Sequence, residues 1–342
     1  MGSSGKVTKL QPPNVLPGGE VELEFSGVRL EPDIPFECYV NGRPNRIISA
    51  SSRRMVVEVS TTFTEASDVP VHVVSGGLES ENHSVMVAGL LKDGMHIVAN
   101  PAVDPKDDAI ILTRSGGRGQ QLPNTLFRLE KDGYLDELPV EVMNPTAIAF
   151  GPNGEMFTTN RRDGIVLRID GGDEATVVAK GLGIATGLAF DKDGTMFVGD
   201  RSGTIYQILA DGTPDEFAKL EPSVAAYHMA FGPDSRLYVS SPGLASHEAI
   251  YAIDGNGFVE TYFRGFGRPQ GLAFGDNGTL YVAACYKGRR GIFSVEYLGT
   301  RAEHVVAGNN VVGLCFNRAG DMIVATGDSV YSLPLGIKAN LI

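Results

Sequence analysis

Along the C-terminal three quarters of the chain one apolar phrase returns five times: Pro145-Thr-Ala-Ile-Ala-Phe150, Ala185-Thr-Gly-Leu-Ala-Phe190, Ala226-Tyr-His-Met-Ala-Phe231, Pro269-Gln-Gly-Leu-Ala-Phe274 and Val311-Val-Gly-Leu-Cys-Phe316. Its phenylalanines lie 40, 41, 43 and 42 residues apart. Each phrase is followed by a polar turn such as Asp191-Lys-Asp-Gly194 or Gly275-Asp-Asn-Gly278, whose Asp, Asn and Gly residues suit tight hairpins. A second apolar strand follows, beginning at Met156, Met196, Leu237, Leu280 and Met322. In the third, apolar residues alternate with small or polar ones, as in Ile165-Val-Leu-Arg-Ile169 and Ile250-Tyr-Ala-Ile253; the fourth is more polar, as in Glu260-Thr-Tyr-Phe263. Four strands in about 40 residues are the signature of a β-propeller blade.

A degraded unit precedes these five: Asn100 to Asp108 matches the first strand and turn, Ile110-Ile-Leu-Thr113 the second strand, and Leu126-Phe-Arg-Leu129 the third. The expectation is therefore six blades. The last has about seven residues after Leu335, too few for its fourth strand, so Met95 to Ala99 is expected to pair there and close the ring, since an open edge invites aggregation. Gly336 to Ile342 is the alternative closing segment. Residues 1–88 carry no such repeat. Val21-Glu-Leu-Glu-Phe25, Met55-Val-Val-Glu-Val59 and Val69-Pro-Val-His-Val-Val74 instead give strands every 10 to 15 residues, the spacing of a small β-sandwich. The fold class is all-β: a six-bladed β-propeller over 89–342 preceded by an immunoglobulin-like β-sandwich over 1–88, joined near Ala88 to Asp93.

Composition fits this organisation and narrows the partners. The 342 residues exceed the usual size of one compact core, and 42% are apolar. The net charge of −12 argues against nucleic acid, whose binders cluster Lys and Arg. No apolar run reaches the roughly 18 residues of a membrane span, and Met1 to Lys6 has no apolar signal core, so the expected location is cytoplasmic. Cys38, Cys285 and Cys315 stand in three distant units and read as reduced, small apolar residues. The oligomeric state is left open.

The N-terminal phrases resemble the immunoglobulin-like TIG domain: Gly18-Gly19 before a strand, Phe25-Ser-Gly27, a Val40-Asn-Gly42 hairpin, Ser49-Ala-Ser-Ser52 before Met55, and Ser84-Val-Met-Val87. The repeats resemble NHL repeats and the gluconolactonase and senescence marker protein family. That likeness rests on the Gly-Leu-Ala-Phe phrases, the Asp-Gly turns and Leu280-Tyr-Val-Ala-Ala-Cys-Tyr-Lys-Gly288. It implies a divalent cation on the channel axis, held just before the Gly-Leu of the innermost strands. The matching positions are Thr146, Thr186, Tyr227, Gln270 and Val312, none a carboxylate, whereas hard cations take charged oxygens. No metal or other cofactor is therefore expected.

Candidate chemistry gathers in the loops of one mouth. The connections between second and third strands carry Arg114, Arg118, Arg161, Arg162, Arg201, Lys287, Arg289 and Arg290 against Asp163, Asp200, Glu248 and Asp328. The hairpin turns of the opposite face are rich in aspartate, Asp107, Asp108, Asp191, Asp193, Asp234 and Asp276 among them. A basic mouth concentrates anions, and guanidinium forks suit carboxylate and phosphate; solvated turn residues are the plainer account. The ligand-binding candidates are Arg114, Arg118, Arg161, Arg162, Arg201, His247, Gln270 and Arg289. For catalysis the candidates are His228, as a general base facing the channel or as a packed histidine between blades, and Tyr227 beside it. Two functions remain: a propeller binding a small anionic molecule or an acidic protein partner, and a lactonase-type hydrolase or lyase acting on a small anionic substrate.

Overall fold

The computed structural model describes residues 5–339 apart from 29, 32, 115–119, 121, 123–124 and 172. All its regular structure is β, and no helix is long and apolar enough to cross a membrane. Five repeats stand as separate four-stranded antiparallel sheets, among them Pro145–Phe150 with its partners through Glu174–Lys180 and Ala185–Phe190 with its partners through Pro214–Lys219. Each sheet buries its faces against its neighbours. Ile111 and Leu126 of the first repeat meet Ile148 and Leu167 of the second, and Phe197 of the third packs edge-on against Phe231 of the fourth.

The fifth repeat departs from the expectation of six separate blades. Its strands Leu272–Phe274, Leu280–Tyr286, Arg289–Val295 and Ala302–Ala307 form one end of a 14-stranded sheet. The outermost, Ala302–Ala307, pairs in parallel with Asn14–Val15, which also pairs with His83–Val87. The N-terminal strands form two layers about one core. Val21, Leu23, Phe25 and Met55 face Val40, Val71, Val73 and Val85, and Leu78–Glu81 is hydrogen-bonded to both layers. The sheet running into the propeller is reinforced by side chains. Asn14 Nδ2 donates to Val305 O at 2.9 Å, Asn309 Nδ2 donates to Gly18 O at 2.7 Å, and Arg289 Nη2 meets Glu22 Oε2 at 2.5 Å.

Ring closure follows the expected logic from a different segment. Gly89–Lys92, not Met95 to Ala99, pairs antiparallel with Val330–Leu333 as the outermost strand of the last sheet. The stretch read as a linker is the closing strand. Residues 95–99 instead run inward along the mouth. Met95 N donates to Asp328 O at 2.8 Å, and Ile97 bridges Arg114. Residues 336–339 do not complete a blade either. They cross the hairpin face, where Ala339 bridges Gly275.

The inward run delivers Asn100 to the axis. Its Nδ2 donates to Leu272 O in the fifth repeat at 2.9 Å, and its Oδ1 accepts from Leu314 N in the sixth at 3.1 Å. One amide therefore ties the first, fifth and sixth repeats. Glycine in the Gly-Leu phrase makes this possible: a Cβ on Gly313 would stand 2.5 Å from Asn100 Cα. Gly313→Ala should lower the unfolding free energy by about 1–3 kcal/mol, the usual cost of overpacking a filled site. Denaturant titration checks this, and a variant as stable as the parent would contradict the axial clasp.

Candidate functional site

Propeller chemistry sits where loops gather around a channel mouth, and two cavities mark the two ends here. The one on the hairpin face, of about 310 Å³, is mixed in character, with Asn100, Asp108 and Arg318 at its wall. It is lined by Phe150, Phe190, Phe231, Phe274 and Phe316, the closing residues of the repeated phrase, together with Ile148, Leu188 and Leu314. The other, of about 900 Å³, lies at the mouth between the fifth and sixth repeats and the N-terminal strands. Its polar lining includes His96, Arg268, Gln270, Arg290, Asn309, Asn310 and Asp328; Leu16, Pro17, Val311 and Tyr331 supply an apolar wall.

Three of the eight non-glycine residues with positive φ among the described residues lie at this cavity. His96, Arg268 and Asn310 all line it, and all adopt left-handed backbone conformations, with φ of 54°, 48° and 53°. Non-glycine residues rarely do so, and such strain concentrates at functional positions. Arg268 and Asn310 each lie two residues before an innermost-strand position lining the mouth, Gln270 and Val312. The turn that aims the chain into the channel therefore also presents these side chains at the rim.

Charge is arranged differently on the two faces. On the hairpin face Arg128 meets Asp104 at 2.7 Å and Glu130 at 2.6 Å and also contacts Asp107; Arg236 meets Asp234 at 2.6 Å and also contacts Glu260; Arg318 meets Asp108 at 2.7 Å. Burial opposes ionisation of Asp108, but the bonds from Arg318 and Lys131 outweigh it and hold its carboxyl below the usual range. On the mouth face Arg114, Arg162, Arg201, Arg268 and Arg290 form no ion pair among the described residues. The acids there are turned to other work. Asp163 accepts from Asn160 Nδ2 at 2.8 Å, Asp200 from the Ile184 and Ser202 amides at 2.9 and 3.0 Å, and Glu248 from the Ala245 amide at 2.8 Å.

Of the residues singled out by sequence, Gln270 lines the mouth cavity. Arg161 and Arg201 are brought together: burial first, and then the neighbouring Arg201 charge, depress the Arg161 guanidinium. Arg162 is exposed, with Nη1 2.9 Å from Met143 Sδ. Arg114 has a buried Nε without a partner among the described residues. His247 is exposed on the loop beside Gly265. Arg118 lies outside the described residues. Arg289 requires correction: it faces Glu22 and Glu20 of the N-terminal strands and braces the two parts of the chain. Cys285, expected to pack as a small apolar residue, is exposed at the cavity, while Cys38 is buried with its thiol pushed up to about 12.

The catalytic pair also falls elsewhere. Tyr227 is fully buried, its hydroxyl donating to Glu221 O at 2.5 Å, and burial raises it to about 12. His228 pairs with Ser240 as Gly187 does with Gly199 and Gly313 with Ala325, so it occupies the glycine position of the repeat. It is 6% exposed, burial lowers it to about 4, and it lines neither channel-end cavity. A base that weak is mismatched to neutral-pH proton transfer. Sequence reasoning missed Arg268 and Asn310, for which the only signal was their place just ahead of an inner strand, and it put His96 in the closing strand, whereas His96 lines the mouth cavity.

The axis residues do not fit a divalent cation. Thr186 Oγ1 accepts from Tyr227 N, the Tyr227 hydroxyl is committed, Val312 offers no donor atom, and Asn100 spends its amide on backbone. Thr146 Oγ1 and the Gln270 side-chain amide make no hydrogen bond among the described residues, but two neutral oxygens without a carboxylate are no hard-cation site. Among the described residues no three His, Cys, Asp or Glu side chains cluster as metal ligands.

No family model matches the chain, and no curated protein matches it. Solved structures do match in fold. An auxiliary nutrient binding protein from Bacteroides ovatus is 13% identical with a TM-score of 0.55, covering 97% of this chain and 98% of that one. A gluconolactonase from Xanthomonas campestris is 16% identical with a TM-score of 0.60, over 72% and 88%. A virginiamycin B lyase from Staphylococcus aureus is 14% identical with a TM-score of 0.52, over 88% and 99%. At these identities the likeness establishes the β-propeller fold alone.

Burial of His228 carries a pH consequence. Its folded pKa, about 4, lies below the ordinary 6.5, so between these values the unfolded chain binds the extra proton. Stability contributed by neutral His228 is present above the unfolded pKa and is lost as pH falls toward 4. His228 contributes a slope of about 1.4 kcal/mol per pH unit within that window, and His304, likewise lowered to about 4 chiefly by burial, contributes about as much again. Urea unfolding at a series of pH values should show the combined slope reduced by about half in His228→Gln; an unchanged slope would exclude the buried neutral His228 imidazole as a source.

Proposed function

We propose that the chain is a non-catalytic binding propeller whose mouth takes a small anionic molecule, with the TIG-like N-terminal strands as a fixed wall of the site. The observation that carries this reading is the set of mouth arginines without carboxylate partners, beside a 900 Å³ cavity into which Arg268, Arg290 and Gln270 project. Arg268 and Arg290 are exposed and form no ion pair among the described residues, so their guanidinium forks are open to donate charge-assisted hydrogen bonds to a bound anion. Arg161 and Arg201, on the same face, add to the field that draws anions in. The fold is shared with a protein described as nutrient binding over nearly the whole of both chains, which agrees with a binding role.

A lactonase-type hydrolase or lyase is the second reading, favoured by one observation: His96 places an imidazole in the mouth cavity, where His228 does not. Under that reading His96→Ala abolishes turnover of lactones while anion binding persists.

The binding reading predicts that citrate, phosphate or a sugar carboxylate raises the melting temperature by several degrees at low salt. A ligand at a hundredfold excess over Kd contributes about 2.7 kcal/mol, and the effect should shrink as salt shortens the Debye length below about 8 Å. Arg268→Ala with Arg290→Ala should remove it; Arg161→Ala with Arg201→Ala should weaken it. Thermal shift against an anion panel is the measurement, and no stabilisation by any anion would end this reading.

A further inference from the structure

The mouth cavity is not uniformly basic. Arg268 and Arg290 come from the fifth repeat, and Asp328 comes from the connection between second and third strands of the sixth. Asp328 has no cationic partner among the described residues; its carboxylate accepts only a 3.3 Å bond from the neighbouring Ser329 hydroxyl. On the hairpin face such charges find each other. Here they belong to different blades and stay beyond ion-pair distance, leaving two positive groups and one negative group facing a common space.

Between these poles stand neutral groups suited to amides. The side-chain amides of Gln270 and Asn310 line the cavity and make no hydrogen bond among the described residues, whereas Asn309 is spent on Gly18 O. Thr326 and Ser329 bond within their own turn. Leu16 and Tyr331 offer apolar surface. A ligand matching this lining carries a carboxylate, an ammonium group, amides between them and modest apolar side chains. The volume lies near the top of the roughly 300–1,000 Å³ range of small-molecule sites.

We infer that the cavity binds short peptides with free ends, the carboxylate on Arg268 and Arg290, the ammonium on Asp328, and the peptide groups on Gln270 and Asn310. This rests on the binding reading above and names its ligand class. The left-handed backbone at Arg268 and Asn310 holds two of these groups at the rim before a ligand arrives, which reduces the ordering cost of binding.

Calorimetry with trialanine, its C-terminal amide, its N-acetyl derivative and acetate tests the inference on the full chain. Trialanine should bind, and blocking either end should weaken binding at least tenfold. In Arg268→Gln with Arg290→Gln, acid and amide should bind alike, while acetylation still matters. In Asp328→Asn, free and acetylated forms should bind alike, while amidation still matters; each variant thus reports its own folding through the preference it keeps. Acetylated or amidated trialanine binding the parent as tightly as the free peptide would overturn the peptide assignment. So would simple anions stabilising a protein that ignores trialanine, an outcome that leaves the anion reading standing. Silence toward peptides and anions alike would remove both.

Discussion

Closing a ring of sheets that are each joined mainly to their sequence neighbours is the constraint on which this structure depends. A propeller with an unpaired last blade would expose a row of backbone donors and acceptors. The chain meets this requirement twice. At the perimeter, Gly89–Lys92 supplies the outermost strand of the last sheet. At the axis, Asn100 reaches two carbonyl and amide groups on the fifth and sixth repeats. Both contacts come from residues 89–100, which lead into the first repeat, so one short segment spans the ring from rim to centre. That segment must pass along the mouth to do so, which places His96 in the cavity wall with a positive φ. Closure and site therefore share this segment at one point, His96.

The second consequence concerns the N-terminal strands. Because Asn14–Val15 pairs with both Ala302–Ala307 and His83–Val87, the sandwich is continuous with the fifth repeat through backbone hydrogen bonds rather than tethered by a linker. Leu16 and Pro17, immediately after that strand, are carried over the mouth and become part of the cavity. Arg289 completes the brace by pairing with Glu22. The geometry of the mouth is therefore fixed by ladder hydrogen bonds, the kind of support that would keep a site preorganised.

How far the sequence revealed this depends on which signal each feature leaves. The repeats were legible because spacing alone encodes them: the phenylalanines of five phrases end five inner strands and meet around one cavity. The closing strand was misplaced because two short apolar stretches, Gly89–Lys92 and residues 95–99, were equally suited to an edge, and only the pairing with Val330–Leu333 selects between them. Side-chain direction was the main loss. Arg289 and Arg290 are adjacent in a strand and so face opposite sides; the pairing of Cys285 with Arg290 puts that pair at the cavity and turns Arg289 to Glu22. Parity also decided against His228: Tyr227 and Met229 fill the space beside Gly187 and Gly199, and His228 is left facing the other way, buried.

The segregation of charge between the faces has a simple origin in turn chemistry. Tight hairpins between first and second, and third and fourth, strands use Asp and Asn to cap their own amides, as Asp191 does for Asp193 and Thr195 and Asp254 for Asn256 and Phe258. A face made of such turns accumulates carboxylates, and arginines on neighbouring strands, Arg128, Arg168 and Arg236, are drawn to them. The mouth-face connections are longer and less regular, and where they hold acids these cap loops, as Asp200 and Glu248 do. Arg114, Arg162, Arg201, Arg268 and Arg290 on that face then form no ion pair among the described residues. An acidic protein of net charge −12 thus acquires a basic mouth without any excess of basic residues, because its acids are fixed where the hairpins need them. Asp328 is the exception, a mouth carboxylate lining the cavity with only a weak local bond, and it is what separates a site for zwitterions from one for anions alone.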